Sequence, residues 1–211
     1  MVGMNLTDQH NEAKTSILRK AEMLFMRLGL KSISMDDIAR ELGISKKTLY
    51  QFFQSKEDLV LQTISRHQCT EAEEVKRLCE NSTDALKEML DIARHVLVQF
   101  QQMSPSTVFD LKKYYPEAWR IVEQVQREYV YGVLKSNMER GIREGLYRDD
   151  FDANILARLY VGSVRWLLDE ELFPQTQFHW AQLYREFIHY HLRGIVSQKG
   201  LEKLKAYIQD L

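Results

Sequence analysis

Residues 34–53 read SMDDIARELGISKKTLYQFF, and the fold turns on this stretch. It divides into two short helical runs joined by a tight turn. Ser34 can cap the first run while Asp37, three residues on, reaches back to the cap, the S-x-x-D arrangement that satisfies backbone donors otherwise left orphaned. Ile38, Ala39 and Leu42 give that run an apolar face. Gly43 supplies the backbone freedom of a sharp turn, and Ile44 tucks into the angle between the helices. Ala39 matters by being small, because a bulky side chain there would hold the second helix away. The second run, Ser45 to Tyr50, sets polar residues on one side and Leu49, with Phe53, on the other. Such a helix packs by its apolar edge and turns hydroxyls and ammoniums outward, which is what a helix entering the DNA major groove requires. Lys31, Lys46, Lys47 and Lys56 are then candidates to neutralise phosphate, and Ser45, Thr48 and Tyr50 to donate hydrogen bonds to it. A helix pair about a glycine also fits an ordinary hairpin with a solvated face.

A longer match separates the two readings. The run ILRKAEMLFMRLGLKSISMDDIARELGISKKTLYQFFQSKEDLVLQTI, residues 17–64, resembles the N-terminal DNA-binding domain of the tetracycline-repressor (TetR) family of bacterial regulators. The likeness rests on Ala21, Phe25, Gly29, Ile38-Ala39, Leu42-Gly43, Ser45-Lys46, Thr48-Leu49-Tyr50, Phe53 and Ser55-Lys56-Glu57-Asp58-Leu59, in order and without gaps. It implies an all-α chain with a three-helix head over residues 1–54 and a helical effector-binding and dimerisation domain over 55–211, linked by a helix from about residue 55 to 80. It also implies that the neighbourhood of Ser32 and Ser34, and Lys56 at the start of the fourth helix, lie against the DNA backbone. Lys47 stands where the family often has a small residue, which adds charge to the recognition helix.

Composition agrees. The chain has 211 residues with 29 basic and 30 acidic side chains, so it is no general polyanion binder. Residues 1–66 hold ten basic against eight acidic residues, and the remainder nineteen against twenty-two, a mild asymmetry that puts positive charge where DNA would lie. Only three prolines and nine glycines interrupt it, which favours helix almost throughout. The start lacks an apolar core behind a basic end, and no run approaches the length of a membrane span, so a cytoplasmic protein without membrane contact is expected. Cys69 and Cys79 are separated by about 15 Å along one helix at the usual rise per residue, which forbids a disulfide between them.

In chain order, residues 1–11 read as a polar, frayed lead. A first helix covers about 12–28, with Leu18, Ala21, Phe25 and Leu28 at spacings of three and four. Ser55 with Asp58 repeats the capping pattern and opens the long fourth helix. After the polar break Asn81-Ser82-Thr83-Asp84 comes a fifth helix on Leu86, Met89, Ala93, Val96, Leu97 and Phe100. Pro105 suits the first position of a short sixth helix ending near Tyr115. Pro116 starts a continuous seventh to about Glu144. Helices at about 152–170 and 178–196 and a polar tail helix complete the chain, with Phe173-Pro174 as the stop between the first two of these.

The apolar surface on those two late helices is broader than one neighbour covers. It predicts a homodimer, and two recognition helices related by a dyad would read a near-palindromic operator whose half-sites lie about 34 Å or a multiple apart. Aromatic, Met and His side chains at His95, Phe100, Met103, Phe109, Tyr115, Trp119, Tyr129, Tyr160 and Trp166 suit the lining of an effector pocket. Each taken singly suits plain core, and the pocket is implied by the resemblance. His189 and His191 diverge on a helix, and no Cys/His cluster has zinc spacing. No metal, cofactor or catalytic residue is predicted, and no phosphate loop or nucleophile elbow is present. The reading is a DNA-binding transcriptional regulator, a repressor released by a small-molecule effector. Two others stay open: a DNA-binding regulator governed by a protein partner, and a helical enzyme or carrier.

Overall fold

The computed structural model describes residues 6–104, 106–174 and 176–207. It is all-α, and among the described residues the only bridge between extended segments is an isolated antiparallel one from Tyr147 to Val196. The helices are α1 (Leu6–Leu28), α2 (Met35–Leu42), α3 (Lys46–Phe52), α4 (Lys56–Asn81), α5 (Ala85–Gln102), α6 (Ser106–Tyr114), α7 (Pro116–Val125), α8 (Tyr131–Arg143), α9 (Ala153–Leu167), α10 (Trp180–Ile195) and α11 (Gln198–Tyr207), with a π-helical turn at Gln126–Val130. The chain forms two compact units, residues 1–70 with 103–122, and residues 71–102 with 123–211.

The first unit packs α1, α2, α3 and the start of α4 around Phe25, Leu30, Ile38, Leu49, Phe53 and Leu59, each of them 2% exposed or less. Its core takes a further wall from later in the chain, for Leu111, Tyr115 and Ala118 join the same cluster. Polar contacts fix that wall: Thr107 Oγ1 donates to the Phe25 carbonyl (3.3 Å), and the buried Asp110 carboxylate accepts from the Lys31 backbone N–H (2.8 Å).

The second unit closes α5, α8, α9, α10 and α11 over Leu86, Met89, Leu90, Met138, Ile188 and Leu192. Inside it lies a polar network that the helical periodicity gave no reason to expect. Glu88, 5% exposed, accepts from Asn137 Nδ2 (3.0 Å) and Arg140 Nη1 (2.8 Å). Tyr147 Oη donates within reach of Asn137 Oδ1 (3.0 Å) and the Ala85 carbonyl (3.1 Å). A buried carboxylate is tolerated only when so many donors meet it. On the outside, α9 leaves Ile155, Leu159 and Trp166 more than half exposed, and α10 leaves Tyr190 79% exposed.

Several boundaries differ from the sequence expectation. α1 begins at Leu6 rather than near residue 12, and the His10 ring stacks on Phe52 at 4.6 Å, which holds those polar first turns down. Residues 1–5 of the frayed lead, and Pro105 with its proposed helix-starting role, lie outside the described residues. The long helix expected over 116–144 runs from Pro116 to Arg143 and widens into a π-turn at Gln126–Val130, where Tyr129 Oη donates to the Ala72 carbonyl (2.7 Å). The helix read as 152–170 ends at Leu167, ahead of Phe173-Pro174, because the Asp169 carboxylate draws the Glu171 (2.9 Å) and Leu172 (3.4 Å) N–H groups into a local turn.

Candidate nucleic-acid interface

Both caps predicted around α2 form. Ser34 Oγ accepts from the Asp37 N–H (3.1 Å) while the Asp37 carboxylate accepts from the Ser34 N–H (3.0 Å); the Ser34 hydroxyl, donating to the same carboxylate (2.6 Å), and that backbone N–H hold the Asp37 carboxyl below its usual pKa. Gly43 ends α2 at φ 66°, in the left-handed region that costs glycine nothing. Ile44 N–H then bonds back to the Ala39 carbonyl (3.0 Å), and the chain reverses into α3. Ser45 caps α3, its Oγ accepting from the Thr48 N–H (3.0 Å) and lying 2.8 Å from Thr48 Oγ1. Ile38, Ala39, Leu49 and Phe53 are all buried, so the orientation of α3 is set by packing on its inner side and by a hydroxyl cap at its start.

What α3 turns outward is Lys46, Lys47 and Tyr50, all exposed, with Thr48 half-buried. They are not equivalent. Lys46 is paired with Asp36 of α2 (2.9 Å), which raises its pKa; Lys47 makes no ion pair with any described residue. The hydroxyls of Ser34 and Ser45 already accept backbone bonds; Ser34 Oγ also donates to the Asp37 carboxylate (2.6 Å), and Ser45 Oγ shares a hydroxyl bond with Thr48 Oγ1. A surface ion pair such as Lys46–Asp36 contributes little and can be exchanged for a phosphate contact.

Lys56 is placed differently from a free phosphate ligand. Its ammonium donates to the Leu30 carbonyl (2.6 Å) and is half-buried, and desolvation lowers its pKa while Asp110 and Glu57 act against that. The capping expected at α4 is present in altered form. Ser55 Oγ accepts from the Asp58 N–H (3.1 Å), but the Asp58 carboxylate takes the N–H of Gln54, not that of Ser55 (2.9 Å). Lys56 thus braces the loop before α2, a link that runs over 26 residues and leaves no local trace in the sequence.

The nine residues read as pocket lining fall into both units. Met103, Phe109, Tyr115 and Trp119 belong to the first, where Tyr115 is core, Trp119 packs against it and Phe109 is 46% exposed. His95, Phe100, Tyr129, Tyr160 and Trp166 belong to the second. There His95 Nε2 lies 2.6 Å from Glu71 Oε2, a bond that raises its pKa. Phe100 stands edge-on to Tyr184, and Tyr160 shares a buried hydroxyl pair with Tyr184 (2.9 Å). Trp166 is 63% exposed. Of the nine, Tyr129 lines a cleft of about 560 Å³ whose other walls include Cys79, Val133, Arg140 and Arg143. Tyr160 lines a smaller groove of about 360 Å³ with Leu159, Phe187 and Tyr190. Cys69 and Cys79 are both free, and burial beside Glu88 pushes the Cys79 thiol up to about 11. Among the described residues no group of three metal-ligating side chains forms and no helix is long and apolar enough to cross a membrane.

Comparison with known proteins agrees with this geometry. The profile of bacterial regulatory proteins of the tetR family matches residues 17–63. The HTH-type transcriptional regulator YvaF of Bacillus subtilis is 24% identical over 177 residues, 80% of this chain and 88% of that protein. The HTH-type transcriptional repressor KstR2 of Mycolicibacterium smegmatis is 21% identical over 194 residues, 89% and 92% of the two chains. Among solved structures, a TetR-family transcriptional regulator from Agrobacterium tumefaciens superposes with a TM-score of 0.70 at 19% identity, covering 89% of this chain and 99% of that one.

Proposed function

The chain belongs to the TetR family of bacterial regulators, and from that premise we propose that this DNA-binding transcriptional regulator is a dimeric repressor. Residues 1–54 would form the DNA-binding domain and residues 55–211 the effector-binding and dimerisation domain, working in the cytoplasm. The observation that carries the reading is the doubly capped α2–α3 pair, which holds Lys46, Lys47, Thr48 and Tyr50 on one outward side of a rigid element. Ser34 and Ser45 flank that side and would donate to phosphate once their hydroxyls turn from Asp37 and Thr48, as Lys56 would once its ammonium leaves the Leu30 carbonyl.

Two copies are needed because one short helix reads few base pairs, and the exposed apolar side chains of α9 and α10 suit a second copy. The effector is a small molecule, and the cleft beside Tyr129 would offer it Val133 and Cys79 together with charged side chains of both signs, among them Lys76, Glu128 and Arg143. Its binding would shift α4, which runs unbroken from Lys56 to Asn81, alter the separation of the two recognition helices and weaken both half-site contacts together.

The deciding experiment is selection of bound duplexes from a random pool at stated salt, followed by sequencing. A dyad-symmetric motif is expected. Recovery of asymmetric or unrelated sequences at salt low enough for ordinary nonspecific binding would end the reading.

A further inference from the structure

Two exposed lysines of the first unit, Lys31 and Lys113, meet at the ring of Tyr114, with Lys112 next to Lys113 on the last turn of α6. Lys31 Nζ donates to Tyr114 Oη (3.2 Å) and lies 5.1 Å from the centre of that ring. Lys113 lies 5.5 Å from the same ring and 5.1 Å from the Phe109 ring, and Lys112 lies 5.0 Å from Trp119. Lys20 and Lys46 of the same unit are paired with Glu41 and Asp36, but Lys31, Lys112 and Lys113 make no ion pair among the described residues. Asp110, the acid of α6, is 5% exposed and its carboxylate is held by the Lys31 backbone N–H. A cation resting on an aromatic face keeps its full charge for a partner.

Helix-dipole effects favour lysines in the last turn of α6, which explains Lys112 and Lys113 alone. They do not explain why Lys31, from the loop between α1 and α2, joins them through Tyr114. That loop leads within three residues to Ser34, the α2 cap, and its Leu30 carbonyl receives the Lys56 ammonium. The edge is therefore continuous with the start of α2 and the start of α4.

We propose that Lys31, Lys112 and Lys113 form a second phosphate-binding edge, which holds the backbone of duplex DNA outside the half-site that α3 reads. Tyr114 Oη, accepting from Lys31, retains its own proton to donate to a phosphate oxygen. The proposal rests on the operator-binding reading above.

The test compares full-length protein on two duplexes carrying the selected operator, one trimmed to the motif and one extended by about ten base pairs, a helical turn, on each side. Affinity is measured as a function of salt. For the native protein the logarithmic slope is steeper on the extended duplex. Replacing Lys112 and Lys113 together by Gln removes four cations from a dimer, and at about 0.9 per phosphate contact that slope falls by roughly 3 to 4, while on the trimmed duplex it matches the native value. The double Arg variant keeps the steep slope. Equal slopes for native and K112Q/K113Q protein on the extended duplex would overturn the proposal and leave the operator reading intact; so would flattening by the Arg variant, which would mark a structural effect. Selection of no sequence at all would end both.

Discussion

Ser45 and Lys47 sit two residues apart and have opposite duties. The Ser45 hydroxyl closes the first turn of α3, so Ser45→Ala is expected to cost about 1 kcal/mol of stability, read from denaturant unfolding. Lys47→Ala should leave the unfolding curve in place and lower operator affinity; loss of stability without loss of binding would assign it to the fold. The cap was legible in the sequence because both partners lie within four residues. The bracing role of Lys56 was not, because its acceptor is a carbonyl in another segment. His191 was equally opaque. It is 9% exposed, its ring stands edge-on to Tyr160 at 4.8 Å, and burial lowers its pKa to about 4. The unfolded chain, titrating near 6.5, then binds the proton that the folded one refuses, so this contribution to stability is complete above pH 6.5 and is lost as pH falls towards 4. The loss is about 3 kcal/mol at most, and thermal melts at fixed protein concentration should show His191→Phe flattening that limb. His95 has the opposite sign: Glu71 raises its pKa, and its contribution fades as pH rises through the raised value.

Among the elements, the close approach at Gly141 makes a sharp prediction. A Cβ there would fall 2.1 Å from the Tyr147 ring, whose hydroxyl serves the buried network of Asn137 and Ala85. Gly141→Ala is expected to destabilise the second unit by about 2 kcal/mol or more, seen as a lowered thermal midpoint with the first unit's helices still formed; an unchanged midpoint would show that the ring can step aside freely. No local pattern announces this contact, because the ring that Gly141 must clear belongs to the segment after the helix. The same division runs through the whole helix inventory. Periodicity and caps placed nearly every helix, since apolar spacing and hydroxyl caps are local. The π-turn and the early end of α9 escaped because neither leaves a mark in apolar spacing; each coincides with a bond of one side chain to backbone, Tyr129 in one case and Asp169 in the other.

For the whole molecule, the exposed apolar residues of α9 and α10 carry the proposed dimer interface. Leu159 is 59% exposed and lines the groove that also holds Tyr160 and Tyr190. Leu159→Asp would bring a charge into a surface with little to solvate it once a second copy covers it, and light scattering should then give a monomer whose operator affinity has fallen far more than its helicity. A dimer that persists would place the interface elsewhere. The sequence indicated this surface by its excess of apolar side chains, but could not tell which aromatics were core. Tyr160 and Trp166 both looked like lining, and one is buried against Tyr184 while the other stands in solvent.

The discontinuous chain of the first unit has a consequence for recombination. Regulators of this kind invite chimeras in which one head is joined to another protein's sensor, and the tempting cut falls just after the recognition helix or at residue 70. A donor fragment cut there would leave behind Leu111, Tyr115 and Ala118, and the recipient's own segment would have to fit Phe25 and Leu30 by chance. A functional graft must therefore carry residues 103–122 along with 1–70.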